Sequence, residues 1–307
     1  MRPQALHRRI VSRGDLPGSD GGIYNPAAVP AGSAILLLCR REIDYRFTAR
    51  VHPEAILVDP DSFAVLRHWT LQKRGFPRSS RVEDFRLLAH RDELLVVHTL
   101  VTEDRIKPVI SRVSGRRLEL FDELELPVAI DRVEKNWVLF ERGGTIHCLY
   151  RLDPLTIFAR KRRGSWTLVR REPSGWSGEL EGGLSNSTNL IPFMDGFLGF
   201  WHTRLHGRYV QGAFLLDADL RLRFRTGVLL DGADVREGFK PGVLYVSALV
   251  EHRGTILAFY GEGDAHTSVA IFDARELEDE LRRSPSAGEG PAPDGGFRSW
   301  CPVCDLR

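Results

Sequence analysis

The chain has 307 residues and a formal net charge of +2, and its composition excludes several classes of protein. Apolar residues make up 42% of the chain and charged residues 27%, a balance that excludes an intrinsically disordered protein. The four cysteines are too few for a disulfide-stapled scaffold. No apolar run approaches the ~20 residues that span a bilayer, and the near-neutral charge provides no overall field for nucleic acid. We therefore predict a globular chain with neither a membrane nor a nucleic-acid partner.

The first residues of the chain carry basic side chains but no apolar core, so they do not resemble a secretory signal. Together with the low cysteine content, this predicts a cytoplasmic protein. We treat residues 1–19 as an N-terminal extension.

Five segments share a pattern of a polar turn followed by an alternating apolar strand. The first strand residues of these segments are Ile35, Leu94, Ile146, Phe197 and Ile256. They recur at intervals of 51 to 59 residues, a period typical of β-propeller blades. A helical interpretation fails because the runs are short, β-branched or aromatic, and bounded by Gly, Asp and Arg. The prediction is an all-β, five-bladed β-propeller over residues 20–273.

A second strand precedes each of these segments, and we place it innermost in its blade. These upstream strands are residues 25–29, 83–88, 135–140, 187–191 and 245–250. Candidate outer strands are residues 55–58, 107–110 and 211–216.

Residues 274–307 are predicted to form a C-terminal helix and a flexible tail. Leu277 and Leu281 lie four residues apart in the segment 274–283, as expected for one face of a short helix. Residues 284–296 are rich in Pro, Gly and Ser and predict the tail.

The cysteines predict no metal site and no cofactor. Cys39 and Cys148 lie in apolar runs and are expected to be small buried side chains. Cys301 and Cys304 form a CPVC pair that supplies two of the four ligands a zinc site needs. No helix follows this pair, as a redox motif would require, so we interpret it as part of a loose tail, with a metal or redox role as the alternative.

Ionisable and amide side chains occur at the start of the inner strands and at the end of the strands paired with them. Because antiparallel pairing places the start of one strand beside the end of the other, we expect these side chains to meet at one mouth of the central channel of the propeller. They are Asn25, Arg40, Glu83, Asp84, Arg86, Lys135, Asn136, Arg151, His202, Glu262 and Asp264. A carboxylic acid among cations and amides suits glycosyl transfer. The acid protonates the leaving oxygen while the cations hold an anionic nucleophile or a donor phosphate.

Neighbouring residues of a strand point to opposite faces, so only one of Glu83 and Asp84 is expected to face the channel. We choose Asp84, and we expect Glu83 to pair with a basic neighbour.

Several of these residues have a structural alternative. Lys135 could form a surface ion pair with Glu134, and Arg40 and Arg151 could bridge blades through Asp44 or Asp153. His202 could be a structural histidine.

Two further features are assigned structural roles. His98 is assigned to the core between blades. The basic run 160–163 is interpreted as a solvated strand edge, with binding of phosphate or an acidic glycan as the alternative. The sequence contains no Walker loop, dinucleotide-binding turn, serine-hydrolase elbow or zinc-protease motif.

Four stretches of sequence follow one another at blade spacing over residues 20–273. They are YNPAAV…LLLCR, VEDFRLLAHRDELLVVHT, EKNWVLFERGGTIHCLYRLDP and YVSALVEHRGTILAFYGEGDAHTSVAIF. Together they resemble glycoside hydrolase family 130, the five-bladed β-mannoside phosphorylases and hydrolases, and the glycosidase-like propellers related to it.

The resemblance implies an inverting enzyme that acts on glycosidic bonds, with Asp84 as the general acid. Phosphate or water would attack the anomeric carbon, so inorganic phosphate is a possible co-substrate. The substrate-binding residues that the resemblance and the strand positions suggest are Arg40, Arg86, Lys135, Asn25, Asn136, Asp264, Arg151 and His202. Of these, the first three would form a cationic pocket, the two asparagines and Asp264 would bind sugar hydroxyls, and His202 would lie near the anion.

The sequence also departs from the family pattern. Phe85 and Leu139 replace prolines, and Thr203 replaces an acidic residue. The stretch 181–189 lacks the basic residue that the fourth blade usually carries, which removes one expected phosphate ligand.

Three alternatives to cleavage of a glycosidic bond therefore stay open. One is a glycosyltransferase that uses a sugar-phosphate donor, and another is a propeller that binds a glycan or a partner without catalysis. The third is a pocket recruited for another small-molecule reaction. The expected partner is a small molecule or an oligosaccharide, and the sequence does not predict the oligomeric state.

Overall fold

Five sheets surround a common axis and form a five-bladed β-propeller, as predicted, and their strands pair antiparallel except at the outer edge of the second blade, where one pair is parallel. The computed structural model describes residues 3–45, 51–128, 133–174 and 183–284. The CPVC pair Cys301 and Cys304, the predicted tail from residue 285 onwards, and residues 181–182 of the fourth-blade stretch lie outside the described residues.

Each blade is built from consecutive strands. The N-terminal strand β1 (Leu6–Val11) joins the fifth blade. The first blade contains β2 (Ile23–Ala31), β3 (Ala34–Glu42), β4 (Val51–Val58) and β5 (Val65–Thr70). The second contains β6 (Gln72–Arg74), β7 (Arg81–His90), β8 (Glu93–Val101), β9 (Ile106–Ser114) and β10 (Arg117–Glu123). The third contains β11 (Val138–Arg142), β12 (Thr145–Leu152), β13 (Leu155–Arg162) and β14 (Ser165–Glu172). The fourth contains β15 (Ser185–Asn186), β16 (Ile191–Phe193), β17 (Gly196–Leu205), β18 (Arg208–Leu216), β19 (Leu222–Arg225) and β20 (Leu230–Asp231). The fifth contains β21 (Leu244–His252), β22 (Thr255–Glu262) and β23 (His266–Asp273), and the chain continues into helix α1 (Ala274–Arg283).

In four blades the upstream strand is innermost, as the sequence predicted. In the fourth blade the predicted strand over residues 187–191 is not formed, and the short strands β15 and β16 lie on either side of residues 187–190. Strands β2, β7, β11 and β21 each form an edge of their sheet. These four strands also contact one another around the axis. Residues near the start of an inner strand therefore lie close to residues of other blades that are distant in sequence.

The fifth blade joins the two ends of the described chain. Strand β1 pairs antiparallel with β23, with Leu6 opposite Ile271. This strand lies within residues 1–19, the stretch treated above as an extension outside the propeller. The ladder between β1 and β23 closes the ring of blades and covers an edge that would otherwise be exposed.

Apolar clusters fill the space between each pair of neighbouring blades. Alternation along β3 shows how one strand serves two of them: Leu37 packs towards the fifth blade and Leu38 towards the second. Because both faces of a blade are covered, the strand is apolar along most of its length. Cys39 and Cys148 are buried in these clusters, and His98 is 2% exposed, as the sequence predicted.

Helix α1 is confirmed over the predicted residues. The Asp273 carboxylate accepts hydrogen bonds from the backbone N–H groups of Arg275 and Glu276, so it caps the first turn. Leu277 and Leu281 are buried against the fourth and fifth blades. No helix among the described residues is long and apolar enough to cross a membrane.

The basic run in the third blade differs in part from its interpretation as a solvated edge. Lys161 and Arg162 are exposed. Arg160, in contrast, is largely buried and forms an ion pair with Asp122 of the second blade, with Nη2 3.2 Å from Oδ2. The guanidinium of Arg163 lies 4.4 Å from the ring centre of Phe121. Half of the run therefore joins two blades.

Candidate functional site

Each of the first three blades has a left-handed residue in its inner strand or just before it. Asn25, Asp84 and Asn136 have φ values of 50°, 56° and 64°. Asn and Asp tolerate this conformation better than other non-glycine residues. In the first and second blades, the residue lies in a bulge where the strand ladder shifts register. The turn in the backbone directs these side chains differently from those of a regular strand.

The Asp84 carboxylate lies where the first three blades meet. Its Oδ1 accepts a hydrogen bond from Asn25 Nδ2 at 3.1 Å. Its Oδ2 lies 3.9 Å from Lys135 Nζ. The side chain is only 14% exposed. Gly261 of the fifth blade makes room for this arrangement, because a Cβ there would lie 2.3 Å from Asn25 Oδ1.

Glu83 lies beside Asp84 rather than on the opposite face, so the expectation from strand alternation was wrong. Its Oε2 is 3.8 Å from Lys135 Nζ, which also faces Asp84. The register shift between Glu83 and Arg86 explains the difference, since the bulge breaks the two-residue alternation. The expected pairing of Glu83 with a basic neighbour is confirmed.

Arg40 is held by two carboxylates of the first and second blades. Its guanidinium lies 2.5 Å from Glu42 Oε1 and 3.2 Å from Glu83 Oε2. The Tyr24 hydroxyl also donates to Glu42 Oε1, at 2.7 Å. Glu42 is 1% exposed, so this charge cluster is largely withdrawn from water. Arg40 therefore combines a position beside the site with a bridge between blades, through different carboxylates from those suggested by the sequence.

Arg86 connects the second blade to the fifth and third blades through a tyrosine. Its Nη2 donates to the hydroxyl oxygen of Tyr245 at 2.5 Å, and its Nη1 donates to the Phe85 carbonyl at 2.8 Å. The Tyr245 hydroxyl in turn donates to Asn136 Oδ1 at 3.0 Å. Arg86 and Asn136 thus share one buried network around Tyr245.

His202 lies beside this network, and its hydrogen bonds define its tautomer. Gln211 Nε2 donates to the Leu244 carbonyl, which leaves Gln211 Oε1 to accept from the Ser187 hydroxyl at 3.0 Å. The single hydroxyl proton is then used, so His202 Nδ1, 3.0 Å from Ser187 Oγ, is the donor. The ring also meets Tyr245 edge-on, with ring centres 4.9 Å apart.

The His202 ring is neutral at physiological pH. Burial lowers its pKa to about 3, with a further contribution from the positive charge of Arg86. This histidine can therefore orient a ligand through hydrogen bonds without carrying a charge itself.

Arg151 and Asp264 have other ion-pair partners. Arg151 Nη2 lies 3.6 Å from Glu134 Oε1. Asp264 Oδ2 lies 2.8 Å from Lys240 Nζ and within 3.5 Å of the Tyr45 hydroxyl. The carboxylate of Asp84 contacts neither residue directly.

The sequence did not identify Tyr24, Glu42, Tyr245, Ser187 and Gln211 as parts of the site. Tyr24 and Tyr245 are found in the matching motifs YNPA and YVSA, near the bulges of two inner strands. Alignment of the upstream strands at these motifs would have identified both tyrosines. Glu42, Ser187 and Gln211 have no comparable signal in the sequence, because their partners are defined by the tertiary structure.

The charges around Asp84 favour its ionised form. Burial alone would raise the pKa of this carboxyl, but the Coulombic attraction of Lys135, Arg86 and Arg40 opposes it. With the hydrogen bond from Asn25 added, the pKa falls below its ordinary value of 3.8. Asp84 is therefore a carboxylate at neutral pH in the unliganded protein.

This lowered pKa predicts how the stability of the protein depends on pH. Asp84 binds its proton less tightly in the folded than in the unfolded chain, so its contribution to stability is present above pH 3.8 and is lost as the pH falls through the folded-state pKa. We expect Asp84→Asn to lower the free energy of unfolding at pH 7 and to lower it less as the pH approaches 3. Urea unfolding of both proteins at several pH values measures this difference. A deficit that is constant or grows towards acid pH would contradict the assigned ionisation.

The side chains of the site offer carboxylates, amides and cations but no cluster suited to a metal ion. Among the described residues, no group of three or more His, Cys, Asp and Glu side chains is arranged to hold one.

Comparison with solved structures identifies relatives in fold. The β-1,2-mannobiose phosphorylase from Listeria innocua, solved with β-1,2-mannobiose, matches with a TM-score of 0.69 at 17% identity over 90% of this chain and 99% of that one. A second match is a structure from the GH130 family of mannoside phosphorylases, which contains glycoside hydrolases that target β-1,2 mannosidic linkages in Candida mannan. It has a TM-score of 0.68 at 12% identity and covers 95% of this chain and 98% of that one. The mannose phosphorylase MPT-4 from Leishmania mexicana, solved with a phosphate ion, matches with a TM-score of 0.56 at 14% identity over 92% of both chains.

These similarities confirm the resemblance in fold that the sequence motifs indicated. No protein-family model matches the sequence, and no curated protein matches it either. At 12–17% identity, the likeness to the solved structures is a likeness of fold.

Proposed function

We propose that this protein is an enzyme that cleaves glycosidic bonds of β-mannosides with inversion, and that Asp84 is its proton donor. The observation that carries the proposal is the position of the Asp84 carboxylate at the meeting point of three blades, between Asn25 and Lys135. The fold shared with mannoside phosphorylases supports the substrate class. A carboxyl group held among amides and cations is the arrangement that protonation of a leaving oxygen requires.

In the proposed reaction, the bond between the anomeric carbon and the glycosidic oxygen breaks while a nucleophile attacks from the opposite face. The oxygen leaves with a proton that comes from Asp84, directly or through a sugar hydroxyl. Inorganic phosphate as nucleophile gives an inverted sugar 1-phosphate, and water gives the inverted free sugar, with its surplus proton released to solvent.

Asp84 must bind a proton before it can donate one, and the bound ligands provide a reason for it to do so. A sugar in the mouth displaces water from the carboxylate and favours its neutral form. A bound anion offsets the positive charge of the neighbouring cations, which removes part of the attraction that holds the pKa low. Proton donation is thereby linked to occupancy of the site.

Two roles are proposed for the remaining side chains. Asn25 and Asn136 bind sugar hydroxyls with the hydrogen-bonding capacity left by their protein partners. Lys135, 27% exposed, faces the mouth and contacts the sugar or the nucleophile. Arg151 and Asp264 are assigned to the rim of the site, where a longer oligosaccharide would reach them.

The test is a panel of β-linked mannobioses incubated with the full chain, with and without inorganic phosphate, with products followed by NMR. The proposal expects an inverted α-mannose 1-phosphate or an inverted free sugar. Transfer from mannose 1-phosphate to a sugar acceptor, without cleavage of any mannobiose, would favour the glycosyltransferase alternative. Binding across the panel without any product would replace the proposal with a glycan-binding protein.

A further inference from the structure

The positive charges of the site fall into two groups. On one side, Arg40 faces Glu42 and Glu83, and Lys135 faces Glu83 and Asp84. Two cations thus share three carboxylates. These cations are already neutralised by the protein and have little surplus charge to offer an anionic ligand.

The other side contains arginines without a carboxylate partner. In the described parts of the chain, no Asp or Glu side chain lies within 4.0 Å of the guanidinium of Arg86 or Arg204. Arg86 is only 2% exposed, and its Nε is buried with no hydrogen-bond acceptor. The Nε of Arg204 is likewise buried without an acceptor. Arg204 as a whole is half-buried. A buried N–H group without an acceptor is costly, so these two Nε groups need an explanation.

Arg204 faces the same side of the fourth blade as His202. The two residues are two positions apart on β17, so their side chains point to the same face. Arg204 pairs in register with Tyr209 of β18, and its guanidinium lies 5.1 Å from the centre of the Tyr209 ring. The charge of Arg204 also contributes to the lowered pKa of His202.

Arg86 approaches the same group of rings from the second blade. Its guanidinium lies 5.6 Å from the centre of the Tyr245 ring, and the rings of Tyr245 and Tyr209 are 6.1 Å apart. Both tyrosine rings also contact His202. The two arginines therefore flank a cluster made of one histidine and two tyrosines.

We propose that Arg204 is a specificity-determining residue that, with Arg86, binds an oxyanion beside His202. A guanidinium presents a planar fork of N–H donors that fits the oxygens of phosphate or carboxylate. The oxyanion is either free inorganic phosphate or an anionic group carried by the sugar. The inference rests on the proposed function, since it names the anion that the same site uses.

The fourth blade can supply a cation to the site even though its sequence is altered. The stretch 181–189 lacks a basic residue, so the sequence predicts the loss of one phosphate ligand from this blade. Arg204 supplies a cation from a neighbouring strand of the same blade. The blade thus retains a positive charge at the site, in a different position along the sequence.

The test compares Arg204→Gln with the wild type and with Arg208→Gln. Arg208 begins β18 in the same blade, but its guanidinium is paired with Asp231 at 2.8 Å, so it serves as a matched control. Calorimetric titrations measure the binding of inorganic phosphate, of α-mannose 1-phosphate and of a neutral β-mannobiose to each protein. Thermal unfolding without ligand confirms that each variant is folded.

Arg204→Gln is expected to weaken binding of the anionic probe roughly 10- to 100-fold, the loss that removal of a charged hydrogen-bond donor causes. Arg204→Lys keeps the positive charge but not the planar fork of donors, so its affinity for the anionic probe should lie between those of the wild type and Arg204→Gln. Binding of the neutral mannobiose should change less than about twofold in every variant. Phosphate that binds by itself identifies a free ion as the ligand, whereas binding of the sugar phosphate alone shows that the anion arrives on the sugar.

The inference is overturned if neither anion binds the wild type, or if Arg204→Gln binds the anion as tightly as Arg208→Gln. The proposed function fails in a different way. In that case, no glycoside is cleaved even though the anion binds at Arg204. The two failures can therefore be told apart.

Discussion

Asp84→Asn is expected to lower the turnover of a β-mannobiose about 10²- to 10⁴-fold, the range that a general acid contributes. Asparagine has nearly the shape of aspartate and can still accept the hydrogen bond from Asn25, but it has no carboxyl proton to give to the leaving oxygen. The affinity for the intact sugar should change far less than the turnover. Steady-state kinetics with saturating phosphate measure both quantities.

The leaving group distinguishes a proton donor from a residue that only shapes the pocket. A 2,4-dinitrophenyl β-mannoside has a leaving group, 2,4-dinitrophenolate, that departs as a stable anion and needs no proton. Loss of the acid should therefore slow this substrate much less than it slows the mannobiose, whereas a distorted pocket would slow both to the same extent. Asp92→Asn is the matched control, since Asp92 lies in the exposed turn at the other end of the same hairpin.

An equal loss on both substrates would show that Asp84 positions the sugar and that the proton comes from elsewhere. Full activity of Asp84→Asn would remove this residue from the mechanism. Either result would leave the fold intact and redirect attention to the other carboxylates of the mouth, Glu83 first, because it lies 3.8 Å from the same lysine.

The architecture was predictable because it depends on a repeated local pattern. Apolar alternation at Ile35 and its four equivalents recurs once per blade, and each repeat requires neighbours on both sides to bury its faces. A single sequence reveals such a period without reference to any partner. The limits of helix α1 were also predictable, since Asp273 and the leucine spacing are local signals.

The side of the strand on which a carboxylate lies was not predictable by the same reasoning. The rule of alternation assigned Glu83 and Asp84 to opposite faces, but the left-handed backbone at Asp84 brought both towards Lys135. A bulge depends on the register between two strands, and periodicity alone does not contain that register. Bulges are common beside functional sites, so an acidic pair at the start of an inner strand is where the rule should be expected to fail.

The net charge at the site could not be predicted from the sequence either. Counting residues suggested three cations around one acid. The structure adds Glu42, which together with Glu83 neutralises Arg40, and leaves Arg86 without a carboxylate within 4.0 Å in the described part of the chain. Net charge at a pocket depends on which pairs form, and those pairs connect residues far apart in sequence.

Arg40→Met is expected to be the most destabilising single substitution in the site. Methionine fills much of the space of the arginine stem but leaves Glu42 and Glu83 buried without their main cation. Breaking a buried ion pair from one side typically costs about 3–5 kcal/mol. Urea unfolding at neutral pH should therefore show a loss of this size in the free energy of unfolding.

Two comparisons make the assignment specific. Arg253→Met removes an ion pair with Asp61 in which the arginine side chain is 75% exposed, so it should cost less than about 1 kcal/mol. The double variant Arg40→Met with Glu42→Gln removes one of the stranded charges and should be less destabilised than the sum of the two single variants. Strictly additive losses, or a loss for Arg40→Met no larger than for Arg253→Met, would mean that Arg40 and Glu42 are not coupled. In that case, the charge of Arg40 would be available to a ligand, and the division of the site into a neutralised side and an anion-binding side would no longer hold.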